Sequence, residues 1–504
     1  MADKATIVLF SHVSNTRSIT GAEKLLLFFG RELSRFFDCI LVAPHEGKLT
    51  RQARSFGLNV QLMPIPLLYG MYTPYAGLPA DARQLQESRE YRELTDWLVV
   101  LRPAFIITST CVHVLPAMAA KSLGIPVVWK ISEAITDNEY TGISVDLIHR
   151  NSDEILAISH TAAACFPHEM MVDKVTLLPP SWNDEEMMAA SWSKLRGERR
   201  LELRVQPHQK LVGYISSFIN KEKGLEHFVD MAVIVAAAQR DAKFLVIGTP
   251  GDKSFYDRCV RKVKMEGLHS RFQFVGYENC LPAAYCAMDV LVVPSLIREG
   301  FGMTALEGMS FGKPVVAYAS GGLQEILQAG GCGDYLVPVE NTVALADAVK
   351  ALLAEPGHAA AIGSRARELA EAAYGPAAYR MRLHGLAERW NLRYCSSPPA
   401  AIPVAAVPPP GPAVPGESEP PAAAEPRRGT SRRASRLRRN KIRRGRLRRA
   451  KDRARRRGRP SAIRRASRKR RSKPAARRKR SGGKRPGGKR RSSARRTKGR
   501  RKAA

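Results

Sequence analysis

The chain of 504 residues contains no Cys-x-x-Cys pair, and none of its eight cysteines stands at a zinc-type spacing from another cysteine or a histidine. That excludes a zinc finger or ribbon and a thioredoxin-like redox pair, and the thiols read as reduced in a reducing, cytoplasmic compartment. No stretch approaches the roughly 20 apolar residues of a membrane span, so any membrane contact would be peripheral. The apolar run Ala5–Phe10 is shorter than a signal-peptide core of about 7–15 residues and reads as a first strand. Acids and aromatics are missing from the carboxy-terminal end: residues 426–504 hold one acid, Asp452, no aromatic residue, and 41 of the 82 lysines and arginines. The net charge of +36 therefore belongs to a tail, because residues 1–425 carry 41 basic and 45 acidic residues.

Short β-branched runs alternate with helical patterns in the rest of the chain, the signature of parallel sheets wound with helices. In the first part the runs are Ile7–Phe10, Cys39–Val42, Val60–Met63, Phe105–Thr108, Val127–Trp129, Ile155–Ile158 and Val175–Leu178. The alternation stops across the charged segment 183–209, which contains Arg196, Arg199 and Arg200, and resumes at Leu211. A second series follows at 211–216, Phe244–Ile247, Phe272–Val275, Val290–Val293, Val315–Ala317 and Tyr335–Val337. The fold class expected is α/β, with two Rossmann-like domains facing across a cleft: residues 1–185, a linker 186–209, then 210–375. A closing helix over 376–395, a Pro/Ala-rich linker over 396–425 and a disordered basic tail over 426–504 complete the chain.

The densest concentration of chemistry lies in Pro294–Val316 and Ser320–Ile326, where a strand ends and a helix begins, the crevice in which doubly wound sheets bind ligands. Gly300 and Gly302 flank Phe301 and let the backbone approach a ligand, and the helix that follows offers unpaired N–H groups to an anion. Glu299 falls in the loop and Glu307 about a turn and a half into the helix. Carboxylates so placed suit sugar hydroxyls, since each oxygen accepts from neighbouring OH groups.

Glu299-x7-Glu307 with Gly-Phe-Gly between, then Gly312-Lys-Pro-Val and Gly321-Gly322, resembles the nucleotide-sugar site of the retaining glycosyltransferases of family four, which have the GT-B fold. Gly21-Ala-Glu-Lys24, Gly124-Ile-Pro-Val127, Ala157-Ile-Ser159, Lys223-Gly224, Ile247-Gly248, Phe274-Val-Gly276 and Asp289–Ser295 add to the resemblance in the right order. It implies that residues 1–185 face the acceptor and 210–375 bind the donor. It also implies that Glu307 holds the donor ribose, that Glu299 with the Gly300–Gly302 backbone holds the donor sugar, and that Lys223 neutralises the pyrophosphate. Gly21 would bring the first loop to the phosphates, and the base would rest near Gly276 and Tyr277. Catalysis would fall to Glu299 and Lys223, without metal or other cofactor; the absence of any Asp-x-Asp accords with this. The implied reaction moves a hexose-like unit, with retention, from a nucleoside-diphosphate sugar to a hydroxyl acceptor, whether glycan, lipid or small molecule. Three departures stand out: Ser216-Ser217 where the family usually has an arginine, Lys130-Ile-Ser-Glu133 where a histidine is common, and Pro179-Pro-Ser-Trp-Asn183 in place of an Asn-Gly pair. An inactive or regulatory relative stays open as an alternative on this ground.

The tail, linker-histone-like in composition, is a polycation that must find polyanions through released counterions, and its lack of aromatics argues against base stacking. Nucleic acid, an anionic membrane surface and an acidic glycan are the candidate partners. A nucleic-acid-binding protein built on an inactive transferase-like scaffold is the reading from a different class.

Overall fold

The computed structural model describes residues 4–16 and 19–396. The expected Pro/Ala linker beyond residue 396 and the basic segment 426–504 lie outside the described residues.

Among the described residues thirteen strands form two parallel sheets. The first contains β1 (Thr6–Phe10), β2 (Asp38–Ala43), β3 (Asn59–Leu62), β4 (Phe105–Ser109), β5 (Val127–Ile131), β6 (Glu154–Ala157) and β7 (Val175–Leu177), in the order β3-β2-β1-β4-β5-β6-β7. The second contains β8 (Lys210–Ile219), β9 (Ala242–Pro250), β10 (Phe272–Val275), β11 (Val290–Val293), β12 (Val315–Tyr318) and β13 (Leu336–Val337), in the order β10-β9-β8-β11-β12-β13. Every run expected as a strand is one. Helices cover both faces of each sheet, so strands such as Val290-Leu-Val-Val293 are apolar without alternation. In each sheet the strand order reverses beside one pair, β1 with β4 and β8 with β11. The loops leaving those strands are therefore where a ligand crevice opens.

The expected strand 211–216 runs on to Ile219 because β8 contains a register shift between Ile215 and Phe218. Ser216 and Ser217 form this irregularity, which re-aims side chains locally. Gly248 makes it possible: its φ is +153°, and a Cβ there would lie 2.1 Å from the Ser216 carbonyl oxygen.

Two segments join the lobes. The charged linker contains a helix, Trp192–Glu202, fastened to the carboxy-terminal lobe by its arginines. Arg196 donates to the Cys286, Ala287 and Met288 carbonyls, and both Arg196 and Arg200 pair with Asp289. Burial opposes ionisation of Asp289, but Arg196, the Leu211 N–H and Arg200 outweigh it and hold the carboxyl below its usual range. Helix Pro356–Tyr374 packs on the carboxy-terminal lobe, whereas helix Pro376–Trp390 returns to the amino-terminal one. There Tyr379, Leu383, Leu386 and Trp390 join the core around Ile7, Leu9, Phe29 and Phe105. Each such side chain contributes roughly 1.5–3 kcal/mol. Buried Glu154 accepts from Trp390 Nε1 at 2.8 Å and from Arg389 at 2.7 Å, which fixes the returning helix in register.

Candidate functional site

Glu299 is positioned by glycines. Its backbone pairs with Gly321, and the Gly322 N–H donates to its carbonyl at 2.7 Å. A Cβ on Gly321, at φ +58°, would lie 2.4 Å from the Glu299 carbonyl oxygen, and one on Gly322 would lie 2.6 Å from Phe301 Cα. The spacing of Gly321-Gly322 thus belongs to the loop that carries Glu299. Lys223 ends a single tight turn, Lys221–Lys223, and Gly224 follows at φ +72°. The turn abuts the end of β11, where a Cβ on Gly224 would fall 1.8 Å from the Pro294 carbonyl oxygen. This contact sets Lys223 Nζ 2.7 Å from Glu299 Oε1, the oxygen that also accepts from Ser295 at 2.7 Å. Oε2 of Glu299 takes part in neither of these hydrogen bonds.

Glu307 lies in helix Met303–Ser310, which starts at Gly302 with φ +106°. Fully buried Tyr285 donates its hydroxyl to Glu307 Oε2 at 2.6 Å. Burial raises the Glu307 pKa above the ordinary carboxylate value; Lys24 and the Tyr285 hydrogen bond oppose that shift and Glu186 adds to it.

Between the lobes opens a cavity of about 540 Å³, and Glu307, Gly21, Gly276 and Tyr277 line it. Glu299, Lys223, Gly300, Phe301 and Gly302 do not: they stand beside it, where the lobes touch. Ser159 donates its hydroxyl to the Gly300 carbonyl, and a Cβ on Gly300 would meet the Ser132 carbonyl oxygen at 2.2 Å. The Phe301 side chain, 4% exposed, turns into the core against Tyr374, so only its backbone is available to a ligand. Among the described residues, a Cβ at Gly21 or Gly276 has nothing within 4 Å.

The cavity also gathers residues to which no role attaches from sequence. Lys24, Arg31 and Lys48 reach it from the amino-terminal lobe, and Glu185 and Glu186 from the strap after β7. Lys48 crosses the cleft to the Tyr277 hydroxyl at 3.3 Å. Ser216 and Ser217 line the opposite wall. Buried Glu23 accepts from Asn15 and from the Thr20 N–H and hydroxyl, completing a capping box that shapes the first loop. Beside Gly21, the Thr20-x-x-Glu23 pattern is a second sequence signal for this loop. At the end of β5, Lys130 donates to Ser132 at 3.1 Å, and burial lowers its pKa to about 8. Glu133 accepts from the Cys111 and Ser132 N–H groups, while burial raises its pKa. Among the described residues no cluster of three or more His, Cys, Asp or Glu side chains is arranged to hold a metal, and no helix is long and apolar enough to cross a membrane.

Residues 209–355 match the family model of the group 1 glycosyl transferases. The lipopolysaccharide core biosynthesis mannosyltransferase LpsB of Rhizobium meliloti is 28% identical over 247 residues, 48% of this chain and 67% of that one. The 2-deoxystreptamine glucosyltransferase of Streptomyces kanamyceticus is 32% identical over 185 residues, 36% of this chain and 46% of that one. The chain thus spans two thirds of the first relative and under half of the second. Among solved structures, Anabaena HepE in complex with UDP-glucose superposes with a TM-score of 0.63 at 17% identity, over 76% of this chain and all of that one. Sucrose-phosphate synthase from Thermosynechococcus elongatus gives 0.59 at 19%, over 77% of this chain and all of that one. The architecture is GT-B-like, two parallel α/β lobes about a cleft.

Proposed function

We propose that the chain is a glycosyltransferase that moves a sugar, with retention and without a metal, from a nucleoside-diphosphate donor to a hydroxyl acceptor. The observation that carries the reading is the pairing of Lys223 with Glu299 at 2.7 Å, beside a cavity into which Glu307 projects. In this reading Glu307 accepts from the ribose hydroxyls, with Tyr285 holding the carboxylate in place. The base rests near Gly276 and Tyr277, and Gly21 brings the first loop to the phosphates. Departure of a diphosphate builds negative charge, and Lys223 stabilises it while remaining tied to Glu299, which accepts from the donor sugar. The enzyme's share of the work is orientation across the cleft and charge stabilisation. The named activities of LpsB and the streptamine glucosyltransferase, and the UDP-glucose in the HepE complex, support a nucleotide-sugar donor. Retention rests on the family-four resemblance, and metal independence on the lack of Asp-x-Asp together with the lysine.

The test is a panel of nucleotide sugars assayed for protection against thermal unfolding and for turnover, with Glu307→Ala alongside. A donor that stabilises the wild-type chain and binds the variant at least about tenfold more weakly supports the site. Equal affinity in the two would remove Glu307 from it.

Residues 426–504 are proposed to bind polyanions, on charge density alone. Truncation before residue 399 should abolish salt-sensitive binding to DNA or anionic vesicles and spare turnover. A truncated chain without any nucleotide response, beside a full chain that grips DNA, would favour the scaffold reading instead.

A further inference from the structure

The cations that line the cavity all come from one lobe. Lys24 and Arg31 stand on helix Gly21–Leu33 and Lys48 opens helix Lys48–Ser55, both in the amino-terminal lobe. Each already has a partner. Lys24 Nζ lies 3.5 Å from Glu186, Arg31 grips Glu185 through two hydrogen bonds of 2.9 and 3.2 Å, and Lys48 reaches Tyr277. Glu185 and Glu186 belong to the strap between the lobes, and with Asn183, Met187 and Met188 they form part of the cavity wall. The third acid of the run, Asp184, faces away, 4.0 Å from Arg380 on the returning helix.

Lys24 and Glu186 act on the interior of the cavity. Lys24 favours the charged form of Glu307 and Glu186 opposes it, so the field of both reaches the carboxylate proposed to hold the ribose. The pair itself is wet, with 34% of the Lys24 and 60% of the Glu186 side chain exposed. An ion pair of this kind is worth only about 0–1 kcal/mol. A diphosphate brings two or more charges and several acceptor oxygens into a partly enclosed space, and it outcompetes a single solvated carboxylate. The opposite wall offers Ser216 and Ser217, hydroxyls without charge.

We propose that Lys24 is the amino-terminal lobe's ligand for the donor diphosphate, and that Glu186 occupies Lys24 until the donor arrives. The inference rests on the donor reading above and extends it: Lys24 on the cavity wall is the counterpart, from the other lobe, of Lys223 beside the cavity, so donor entry frees the strap from Lys24. Glu186, which repels the same phosphates, sets how much affinity the cavity shows at rest.

The test measures binding of UDP, ADP and GDP, and of uridine, adenosine and guanosine, to the full chain and to Lys24→Met and Glu186→Gln. For the diphosphate that binds the wild-type chain, Lys24→Met should weaken affinity about tenfold, and the matching nucleoside, which feels Lys24 only through Glu307, by much less. Glu186→Gln should tighten the diphosphate about threefold at low salt, an advantage that fades as salt rises. Equal loss for nucleoside and diphosphate, or unchanged diphosphate affinity in both variants, would overturn the assignment while leaving the donor reading intact. No response of the wild-type chain to any diphosphate would overturn the donor reading and this inference with it.

Discussion

The two walls of the cleft are built by different means. The carboxy-terminal wall is made by backbone meeting backbone: Gly224 against Pro294, Gly321 against Glu299, Gly322 against Phe301. Lys223 and Glu299 are held there by contacts no larger side chain could share. The amino-terminal wall is made by long, part-exposed side chains, Lys24, Arg31 and Lys48, on two helices. The first leaves no room for a side chain at its glycines, whereas the second consists of side chains in part-exposed pairs. Substitutions in the first should therefore cost fold and function together, and substitutions in the second should cost binding alone.

The largest effect is expected at Gly224. Alanine there takes on a left-handed backbone, about 1–2 kcal/mol, and a Cβ inside the Pro294 carbonyl. Together these should exceed about 3 kcal/mol and displace Lys223 from Glu299, ending turnover. Gly57→Ala is the control, since Gly57 has φ +80° and open space around it. It should lose only the backbone part. Calorimetry showing equal losses at 57 and 224 would dismiss the close approach as the source.

Next in size are the two side chains that this wall holds. Lys223→Met and Glu299→Gln should each lower donor turnover about 10²–10³-fold. Because they share one hydrogen bond, the double variant should be little worse than the worse single one. Fully multiplicative losses would mean that the 2.7 Å pair does not act as a unit.

Much of this was legible beforehand, and the limits have physical causes. A strand covered on both faces writes itself as an apolar run, so all thirteen strands could be read from residues alone. Gly321-Gly322 and Lys223-Gly224 stand out in the sequence as parts of the family resemblance, but the close approaches they permit to Glu299 and Pro294 do not. Partners chosen across the chain leave no mark. Nothing local to Tyr285 says that its hydroxyl will serve Glu307, or to Glu186 that it will lie against Lys24. The spacing of Tyr379, Leu383, Leu386 and Trp390 says that a helix buries one face, but not that this face belongs to the amino-terminal lobe. Even Thr20-x-x-Glu23, a readable capping box, carries its meaning only once Asn15 is seen bound to the same carboxylate.

A smaller effect tests the boundary between the walls at Glu307. Its raised pKa means that the native state keeps a proton the unfolded chain releases, from the ordinary value of 4.5 upward. Native binding of more protons makes stability fall as pH rises through that window. Glu307→Gln keeps an acceptor for Tyr285 and removes the ionisation. It should raise Tm on the order of 1–2 °C at neutral pH and leave it unchanged in acid, while weakening the donor. A variant no more stable at neutral pH than the wild-type chain would show that burial does not strain this carboxylate.

The smallest change in stability is expected at Gly21, and it separates the walls most cleanly. Gly21 is the first residue of its helix, after the Thr20 cap, and a Cβ there has nothing within 4 Å. Alanine should hold or raise Tm, because it forms helix better than glycine by up to about 1 kcal/mol. Among the described residues a Cβ at this point touches nothing, so its effect would fall on a ligand in the cavity that Gly21 lines. Gly21→Ala should therefore weaken the nucleoside diphosphate several-fold in a chain at least as stable as the parent, the reverse of Gly224→Ala, where binding fails because the wall does. If Gly21→Ala binds the diphosphate as the parent does, the phosphates do not pass close to this loop, and the amino-terminal contribution to the site rests on side chains alone.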